Sequence, residues 1–355
     1  MKIVCSKEAS HLNKWDDFVK ENDIGSHLLL SDWLSSYSSY GFDYEVSFIL
    51  EKDSIIGGFG SVIAKVGFLK FFIVPFGPIV VNDRTDVLKK LLDFIPQQAE
   101  KIGACYCQIN FPVSDGAIVS NHCYSSVSIN LFTDFEKGHL FKYVYSTNGL
   151  NWIDLKKFAS TDEILQHFSS SVRRDIRSSE RKGMELRYLV KESEIKEGYL
   201  LCVENAKKAH YAIRRWEDFR STLLSLVQKD LAKFIACYQD GQIKGALLLV
   251  KSGNYYTYIL GGTKREKPDI LAGHFLQWKA IQLSFREGLD GYNISLGGSK
   301  GVQLFKNSFN NQVLFFDNGK YYKVIKPILF QFFIIFERLF QFNKEKITKL
   351  ISILK

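Results

Sequence analysis

The sequence lacks the motifs that mark several common classes of metalloprotein and enzyme. Its six cysteines include no Cys-x-x-Cys pair, and its seven histidines show no zinc-ligand spacing. No serine lies in a Gly-x-Ser-x-Gly turn, so a hydrolase triad has no support. A P-loop and a dinucleotide-binding fingerprint are also missing. We therefore predict no metal site and no bound cofactor, and we interpret the cysteines as reduced, mostly buried thiols.

The composition predicts a basic, soluble protein with an anionic partner. Hydrophobic residues make up 46% of the chain and charged residues 24%, as in a globular protein of two ordinary domains. The N-terminus has no apolar run long enough for a signal peptide, so we expect a cytoplasmic location. The net charge of +9 favours tRNA, a nucleotide-linked precursor or an acidic membrane as partner, without choosing among them.

An internal repeat predicts that one α/β unit occurs twice in the chain. Residues 48–57 parallel residues 236–245, since each run has the pattern of a strand, a polar turn and a second strand. Farther on, residues 101–109 match residues 286–294, where a helix ends at glycine and a strand begins. Apolar residues three and four positions apart predict helices before these strands, at 85–102 and 271–287.

A polar turn at residues 147–149 separates the two copies. The fold class is therefore α/β, with two domains and a tail. We place the N-terminal domain at 1–148, the C-terminal domain at 149–318 and a C-terminal helical segment at 319–355.

Residues 292–309 have the pattern of a strand, a glycine-rich turn and a lysine beside aromatic rings. Alternating apolar residues from 292 to 296 predict a half-buried strand, and three glycines follow it. Lys306, between Phe305 and Phe309, would be partly desolvated, where its charge could stabilise an oxyanion or hold a phosphate. The alternative is a surface lysine beside a core phenylalanine.

Four segments in a fixed order resemble the FemABX family. They are Trp15-Asp-Asp-Phe-Val, Val74-Pro-Phe-Gly-Pro-Ile, the Arg-Arg-Asp-Ile-Arg segment within 170–185, and Gly-Val-Gln-Leu-Phe-Lys at 301–306. The resemblance implies two tandem GNAT-like (acyl-CoA N-acyltransferase-like) domains with mixed central sheets. It also implies that the C-terminal segment packs back on domain one.

The resemblance implies an acyltransferase of peptidoglycan biosynthesis. The best-known members of the family move an amino acid from aminoacyl-tRNA to an amine of a peptidoglycan precursor, so tRNA and a cell-wall precursor are the implied partners. In this interpretation Lys306 has the electrostatic role and Phe305 helps to shape the acyl pocket. Residues 110–112, Asn-Phe-Pro, depart from the family, in which many members have an acidic residue before the proline. The general base is therefore unassigned.

Two other functions stay open at this point. The first is an acyl-CoA-dependent N- or O-acyltransferase of surface polysaccharide biosynthesis. The loop at 261–273 is basic and precedes a helix, but it does not fit the Arg/Gln-x-x-Gly-x-Gly/Ala pattern that binds acetyl-CoA in GNAT domains. The second is a non-catalytic module that binds anionic polymers, which a shallow cleft without a buried lysine would favour.

Basic and aromatic residues of the second domain are candidates for substrate binding. Arg173 and Arg177 lie four positions apart on one helix face and could contact phosphates, although a solvated face paired with nearby acids is an equal alternative. Arg214 belongs to an Arg-Arg-Trp cluster that suits phosphate binding or interdomain packing. Tyr256 and Tyr258 share one strand face and are predicted to line the cleft, although as ordinary strand residues they need no function.

The tail from residue 327 is apolar up to residue 336, and four lysines follow it. The apolar stretch is too short and too interrupted to cross the roughly 30 Å of hydrocarbon in a bilayer. We favour a helix docked on domain one, because exposed phenylalanines promote aggregation. The alternative is an interfacial helix that makes a peripheral contact with the inner face of the membrane.

Overall fold

The structure is a computed structural model that describes residues 2–82, 84–115, 122–211, 213–316 and 318–340. The chain divides into two compact units. One contains the residues up to Asn148 together with those from Phe315 onward, and the other spans Gly149–Leu314.

The described elements include both strands and helices throughout the chain, as expected for an α/β protein. In order they are β1 (Ile3–Ser6), α1 (Ala9–Glu21), α2 (Ser31–Ser35), β2 (Asp43–Glu51), β3 (Ser54–Val66), β4 (Leu69–Val74), β5 (Ile79–Val80), α3 (Thr85–Lys101), β6 (Tyr106–Asn110), β7 (Glu136–Lys137), β8 (Gly149–Asp154), α4 (Thr161–His167), α5 (Ser170–Glu180), β9 (Glu185–Tyr188), α6 (Glu192–Lys208), α7 (Trp216–Gln228), β10 (Ala232–Gln239), β11 (Gln242–Ser252), β12 (Tyr255–Thr263), α8 (Ala272–Arg286), β13 (Gly291–Asn293), α9 (Lys300–Asn307), β14 (Gln312–Phe315), β15 (Lys320–Val324) and α10 (Pro327–Phe340). Short 3-10 turns lie at His27–Leu29, Ser36–Tyr40 and Ser126–Leu131.

The first unit is built on a mixed sheet with the order β1-β2-β3-β4-β6-β15-β7, and β5 pairs with β3. Strands β2, β3 and β4 are antiparallel neighbours. Strand β6 is parallel to β4, with Phe71 opposite Tyr106. A parallel neighbour needs a crossover connection, and α3 supplies it. The buried face of α3 carries Val87, Leu91 and Ile95, at the spacing that predicts an amphipathic helix.

The second unit repeats this topology in a sheet with the order β14-β8-β13-β12-β11-β10-β9. Strands β10, β11 and β12 are antiparallel, and β13 is parallel to β12. Helix α8 connects β12 to β13, as α3 connects β4 to β6. The predicted repeat of one α/β unit is therefore confirmed.

The C-terminal segment is partly strand. We predicted a helical segment from residue 319, but residues 320–324 form β15, which pairs antiparallel with β6 and fills a place in the first sheet. Helix α10 then packs on the first unit, as predicted. The Phe330 ring stacks on Tyr106 at 4.8 Å between centroids, and Phe333 lies 4.6 Å from Phe71. The four C-terminal lysines of the prediction lie outside the described residues. None of the helices in the described ranges is long and apolar enough to cross a membrane.

Candidate active site

The second sheet opens between its two parallel strands. Residues 255–257 of β12 pair with residues 291–293 of β13, and the pairing ends there. Strand β12 continues to Thr263 along β11, whereas β13 stops at Asn293. Tyr258 and Ile294 therefore stand where the two strands separate, and this gap is the entrance to the candidate site.

Ser295 turns the chain back over this gap. Its backbone has a left-handed φ of 62°, and its N–H donates to Oδ1 of Asn293 at 3.0 Å. Few serines adopt this conformation, and residues held in it often lie at functional sites. The predicted strand at 292–296 is thus wrong in its extent. The strand ends at Asn293 because the side chain of that residue holds Ser295 in a turn.

Lys306 follows the glycine-rich turn, as predicted, and it lies on helix α9, which the sequence had not predicted. Its side chain is only 3% exposed. Nζ donates to Oγ of Ser295 at 2.7 Å, to the carbonyl of Gly297 at 2.7 Å and to the carbonyl of Ser295 at 3.2 Å. The Tyr258 ring centroid lies 5.1 Å from Nζ. The structure therefore shows a buried lysine whose three ammonium donors are all engaged.

The partners of the Lys306 ammonium are neutral oxygens and an aromatic ring. Burial lowers the pKa of Lys306 from 10.5 to about 8, so the amine is mostly protonated at pH 7. No carboxylate within the described part of the chain pairs with this buried cation, so it favours negative charge arriving in front of it. A substrate oxyanion could replace one of the three oxygens and be stabilised in the same way.

Aromatic rings form the wall next to Lys306. The Phe305 ring lies 5.3 Å from Phe309 and 5.0 Å from His274, each in edge-to-face geometry. An added Cβ on Gly273 would lie 3.6 Å from the Phe305 ring, so the start of α8 also contacts this wall. Phe305 is partly buried, and it packs against the apolar core of the second unit. The role of Phe305 in shaping an acyl pocket stays a prediction.

Two polar residues of the site were missed by the sequence analysis. Ser295 lies inside the segment 292–309, but its contact with Lys306 depends on the unusual φ. His274 gives no local signal, and it reaches Phe305 only because α8 packs beside α9. Its Nε2 lies 3.8 Å from Oδ2 of Asp175 on α5, and burial lowers the pKa of His274.

The two arginines of the predicted phosphate-binding face have different environments. The Arg173 guanidinium donates to the carbonyls of Gln166 and Phe168, both at 2.8 Å, and so it holds the turn between α4 and α5. Arg177 is exposed on the same helix and forms no ion pair with a residue in the described ranges. The geometry gives Arg173 a structural contact and leaves Arg177 accessible.

Arg214 and the two tyrosines also differ from one another. The Arg214 guanidinium lies 5.2 Å from the centroid of the Phe219 ring. Tyr256 is fully buried and donates its hydroxyl to Glu287 at 3.0 Å, so it belongs to the core and does not line a cleft. Tyr258 is half-buried beside Lys306 and remains at the gap. Tyr256 and Tyr258 share one strand face, but that face is buried in the core at Tyr256 and only half-buried at Tyr258.

The start of helix α8 already holds an acidic side chain. Oδ1 of Asp269 accepts a hydrogen bond from the N–H of Leu271 at 2.8 Å, and Leu271 has a left-handed φ of 61°. GNAT domains bind the pyrophosphate of acetyl-CoA through backbone amides at such a helix start. Asp269 occupies one of these amides, so that amide is not available to a CoA pyrophosphate.

A cavity of about 930 Å³ lies in the first unit, but its chemistry is different. Its described lining includes the carboxylates of Glu21 and Asp23 and the amides of Asn22, Asn82 and Asn130, without a lysine, arginine or histidine. Such a lining does not attract phosphates. Asn110 of the Asn-Phe-Pro segment is buried, and its amide donates to the carbonyl of Thr147.

Comparison with known proteins supports the predicted fold and enzyme class. Residues 166–306 match the family model of an acetyltransferase (GNAT) domain. The structure resembles FemX with a TM-score of 0.77 and 14% identity, over 94% of this chain and 99% of that one. It also resembles the C-terminal domain of a protein assigned as a lysylphosphatidylglycerol synthetase from Agrobacterium fabrum (TM-score 0.53, 13% identity, 88% of this chain and 91% of that one). A tandem GNAT protein of the clavulanic acid biosynthesis pathway gives a TM-score of 0.50 at 10% identity, over 91% and 98% of the two chains.

The search of curated proteins found no match to this sequence. The structural likenesses are at low identity, so they establish the fold: two tandem GNAT-like domains with mixed sheets, as predicted. The matched acetyltransferase domain contains α5, β12, α8 and Lys306. Together these findings support an acyltransferase.

Proposed function

We propose that this protein is an aminoacyltransferase, which moves an amino acid from aminoacyl-tRNA to an amine of a peptidoglycan or other cell-surface precursor. The observation that carries the proposal is the buried Lys306 ammonium beside the gap between β12 and β13, with neutral oxygens as its partners. The resemblance to the FemABX family and the FemX-like fold support the choice of donor and acceptor. We place the reaction in the cytoplasm, where charged tRNA is found.

An aminoacyl ester is already activated, so the protein does not need to form a covalent intermediate. It has to position the two substrates and stabilise the oxyanion that forms between them. The acceptor nitrogen forms a bond to the ester carbonyl carbon, whose oxygen becomes negatively charged. Lys306 stabilises that oxyanion. The bond from carbon to the ribose oxygen then breaks, the ribose oxygen takes up a proton, and the former amine loses one. Phe305 excludes water from the acyl group on one side.

Anionic parts of the substrates need cations around the site. Arg177 is exposed and unpaired within the described part of the chain, so we assign it a phosphate of tRNA or of the precursor. We assign Arg214 a supporting contact. Arg173 orients the start of α5 through its two carbonyl contacts, and the Tyr258 ring holds the Lys306 amine through a cation–π contact.

The donor is proposed to be aminoacyl-tRNA rather than acyl-CoA because of Asp269. An acidic side chain at the start of α8 opposes a CoA pyrophosphate at that position. Burying a charge without a counter-charge is unfavourable. A module that only binds anionic polymers could use exposed lysines, so the buried Lys306 favours catalysis. Both alternatives are outcomes of the test below.

The test is to incubate purified protein with charged tRNA and with acyl-CoAs, each with a soluble cell-wall precursor, and to follow the loss of each donor. We expect the aminoacyl ester to be consumed in step with modification of the precursor amine. Lys306→Met is the control and should abolish this consumption. Consumption of acyl-CoA alone would establish the second function, and loss of neither donor would favour the binding module.

A further inference from the structure

Helix α10 has two apolar faces, and only one of them is covered. Phe330 and Phe333 pack into the first unit. Ile328, Phe332 and Ile335 lie on the opposite face, with exposures of 76%, 58% and 54%. These positions are four and three residues apart, so their side chains form one continuous stripe. Three large apolar side chains exposed side by side on one helix face form a patch of the kind that marks an interaction surface.

Besides Phe332, the first unit exposes a second aromatic residue near the start of α10. Phe68 is 78% exposed in the turn between β3 and β4. Two residues later, the carbonyl of Lys70 accepts the N–H of Cys105, and the carbonyl of Cys105 accepts the N–H of Lys326, where α10 is about to begin. The β3–β4 turn and the start of α10 are thus neighbours in one compact unit.

Lysines accompany these apolar residues. Lys65 stands opposite Lys70 in the hairpin. Nζ of Lys70 donates to the carbonyl of Ile102 at the end of α3. Nζ of Lys326 lies close to Gly103, 3.9 Å from where a Cβ added to that glycine would stand. None of the three amines forms an ion pair with a described residue. The local excess of positive charge selects an anionic occupant for the apolar stripe.

We propose that the exposed face of α10, together with Phe68 and the lysines 65, 70 and 326, is a docking surface for an anionic lipid bilayer. Amphipathic helices with basic neighbours lie in the membrane interface with their apolar side chains among the acyl chains. Lysines near the surface strengthen the contact through the negative potential of anionic lipids. The helix would lie on the membrane without crossing it, held by Phe330 and Phe333 to the rest of the unit. This proposal does not depend on the reaction proposed above.

The test is co-sedimentation of the full chain with vesicles of phosphatidylglycerol and phosphatidylcholine, compared with vesicles of phosphatidylcholine alone. We expect binding only to the mixed vesicles. The double variant Ile328→Ser, Phe332→Ser should lose roughly tenfold or more in affinity, because two large apolar side chains no longer enter the bilayer. The matched control is Val190→Ser, which alters a similarly exposed apolar residue in the second unit. Lys65→Gln with Lys326→Gln should weaken binding and reduce its salt dependence.

Three outcomes would overturn the proposal. The first is a wild-type chain that does not bind the anionic vesicles. The second is a double variant that melts at a lower temperature while vesicle binding is unchanged, which would mean that residues 341–355 cover the face. The third is a variant that converts a dimer to a monomer with vesicle binding unchanged, which would assign the face to a second copy. Transfer to a soluble acceptor should be equal in wild type and variant, so failure of this proposal and failure of the proposed reaction are distinguishable.

Discussion

The buried ammonium of Lys306 is hydrogen-bonded to Ser295, a residue with a left-handed backbone. The ammonium of Lys306 is buried, and two of its three hydrogen bonds go to the hydroxyl and carbonyl of Ser295, which itself has a left-handed backbone. Both features are unfavourable in isolation. The two residues are brought together where strands β12 and β13 separate, so the site presents a positive charge at a gap in the sheet.

Replacing Lys306 with methionine tests the electrostatic role. The variant keeps an unbranched apolar stem and loses only the charge, so the fold should remain intact. We expect kcat to fall by about 10²-fold or more, the usual effect of losing one oxyanion partner. Lys300→Met is the matched control, because Lys300 is exposed at the start of the same helix. Activity of the Lys306 variant within about twofold of wild type would remove Lys306 from the mechanism.

The pH dependence of the rate follows from the buried amine. Burial lowers the pKa of Lys306 to about 8, and the electrostatic role needs the protonated form. The rate at saturating substrate should therefore fall as pH rises through about 8, by up to tenfold per pH unit. A rate that rises through this range would instead identify Lys306 as a general base.

Protein stability should depend on pH in the opposite direction. The folded-state pKa of about 8 lies below the ordinary value of 10.5, so the unfolded chain binds more protons between these two values. Stability therefore rises with pH in this window, by about 3 kcal/mol at most. Urea unfolding of wild type and Lys306→Met at pH 7 and pH 10 isolates this contribution, since other groups cancel. Between pH 7 and pH 10, the free energy of unfolding of the wild type should rise relative to that of the variant. An equal pH response of the two proteins would contradict the burial of a charged lysine.

Ser295 gives a test of the link between geometry and pKa. Ser295→Ala leaves residue 295 with the same need for a left-handed backbone. It removes only the hydroxyl, which accepts a hydrogen bond from Nζ of Lys306 at 2.7 Å. The charged form of Lys306 loses one partner, so its pKa should decrease further. We expect the falling limb of the pH–rate profile to move to lower pH, with little change in the far-ultraviolet circular dichroism. An unmoved limb accompanied by a lower rate at all pH values would show that Ser295 acts elsewhere.

Arg173 and Arg177 form a matched pair on one helix. Arg177→Gln should raise KM for the anionic substrate and reduce its salt dependence, because the side chain is free to contact phosphate. Arg173→Gln should instead lower the melting temperature, because two hydrogen bonds to the carbonyls of Gln166 and Phe168 are lost. The assignment fails if the Arg177 variant loses stability with an unchanged KM.

The sequence predicts well those features that depend on local spacing. Helices α3 and α8 begin and end within one or two residues of prediction, because their apolar residues recur at the helical period. The repeat was visible because each copy closes its helix with glycine. The segment around Lys306 was found, but its conformation was not. A serine at positive φ has no local signature, and the short helix α9 follows a run of glycines that favours a loop.

Side-chain environments were the least predictable feature, because they depend on packing between distant segments. Arg173 and Arg177 are equivalent on a helical wheel, and only the position of the α4–α5 turn gives one of them carbonyl partners. Tyr256 and Tyr258 are equivalent on a strand, yet α8 covers one and the gap exposes the other. His274 is far from Lys306 in sequence, and it reaches the aromatic wall only through the packing of α8.

Two truncations separate the packed face of α10 from the remainder of the tail. The rings of Phe330 and Phe333 cover Tyr106 and Phe71, so removal of residues 327–355 should expose these core rings. We expect that truncation to aggregate without membranes, or to melt at a clearly lower temperature, since each buried phenylalanine contributes about 3 kcal/mol or more. Removal of residues 341–355 alone leaves both phenylalanines in place and should preserve the melting temperature. A chain ending before 327 that stays monomeric with an unchanged melting temperature would show that α10 is an appended anchor, and the contacts of Phe330 and Phe333 would then contribute little to the fold.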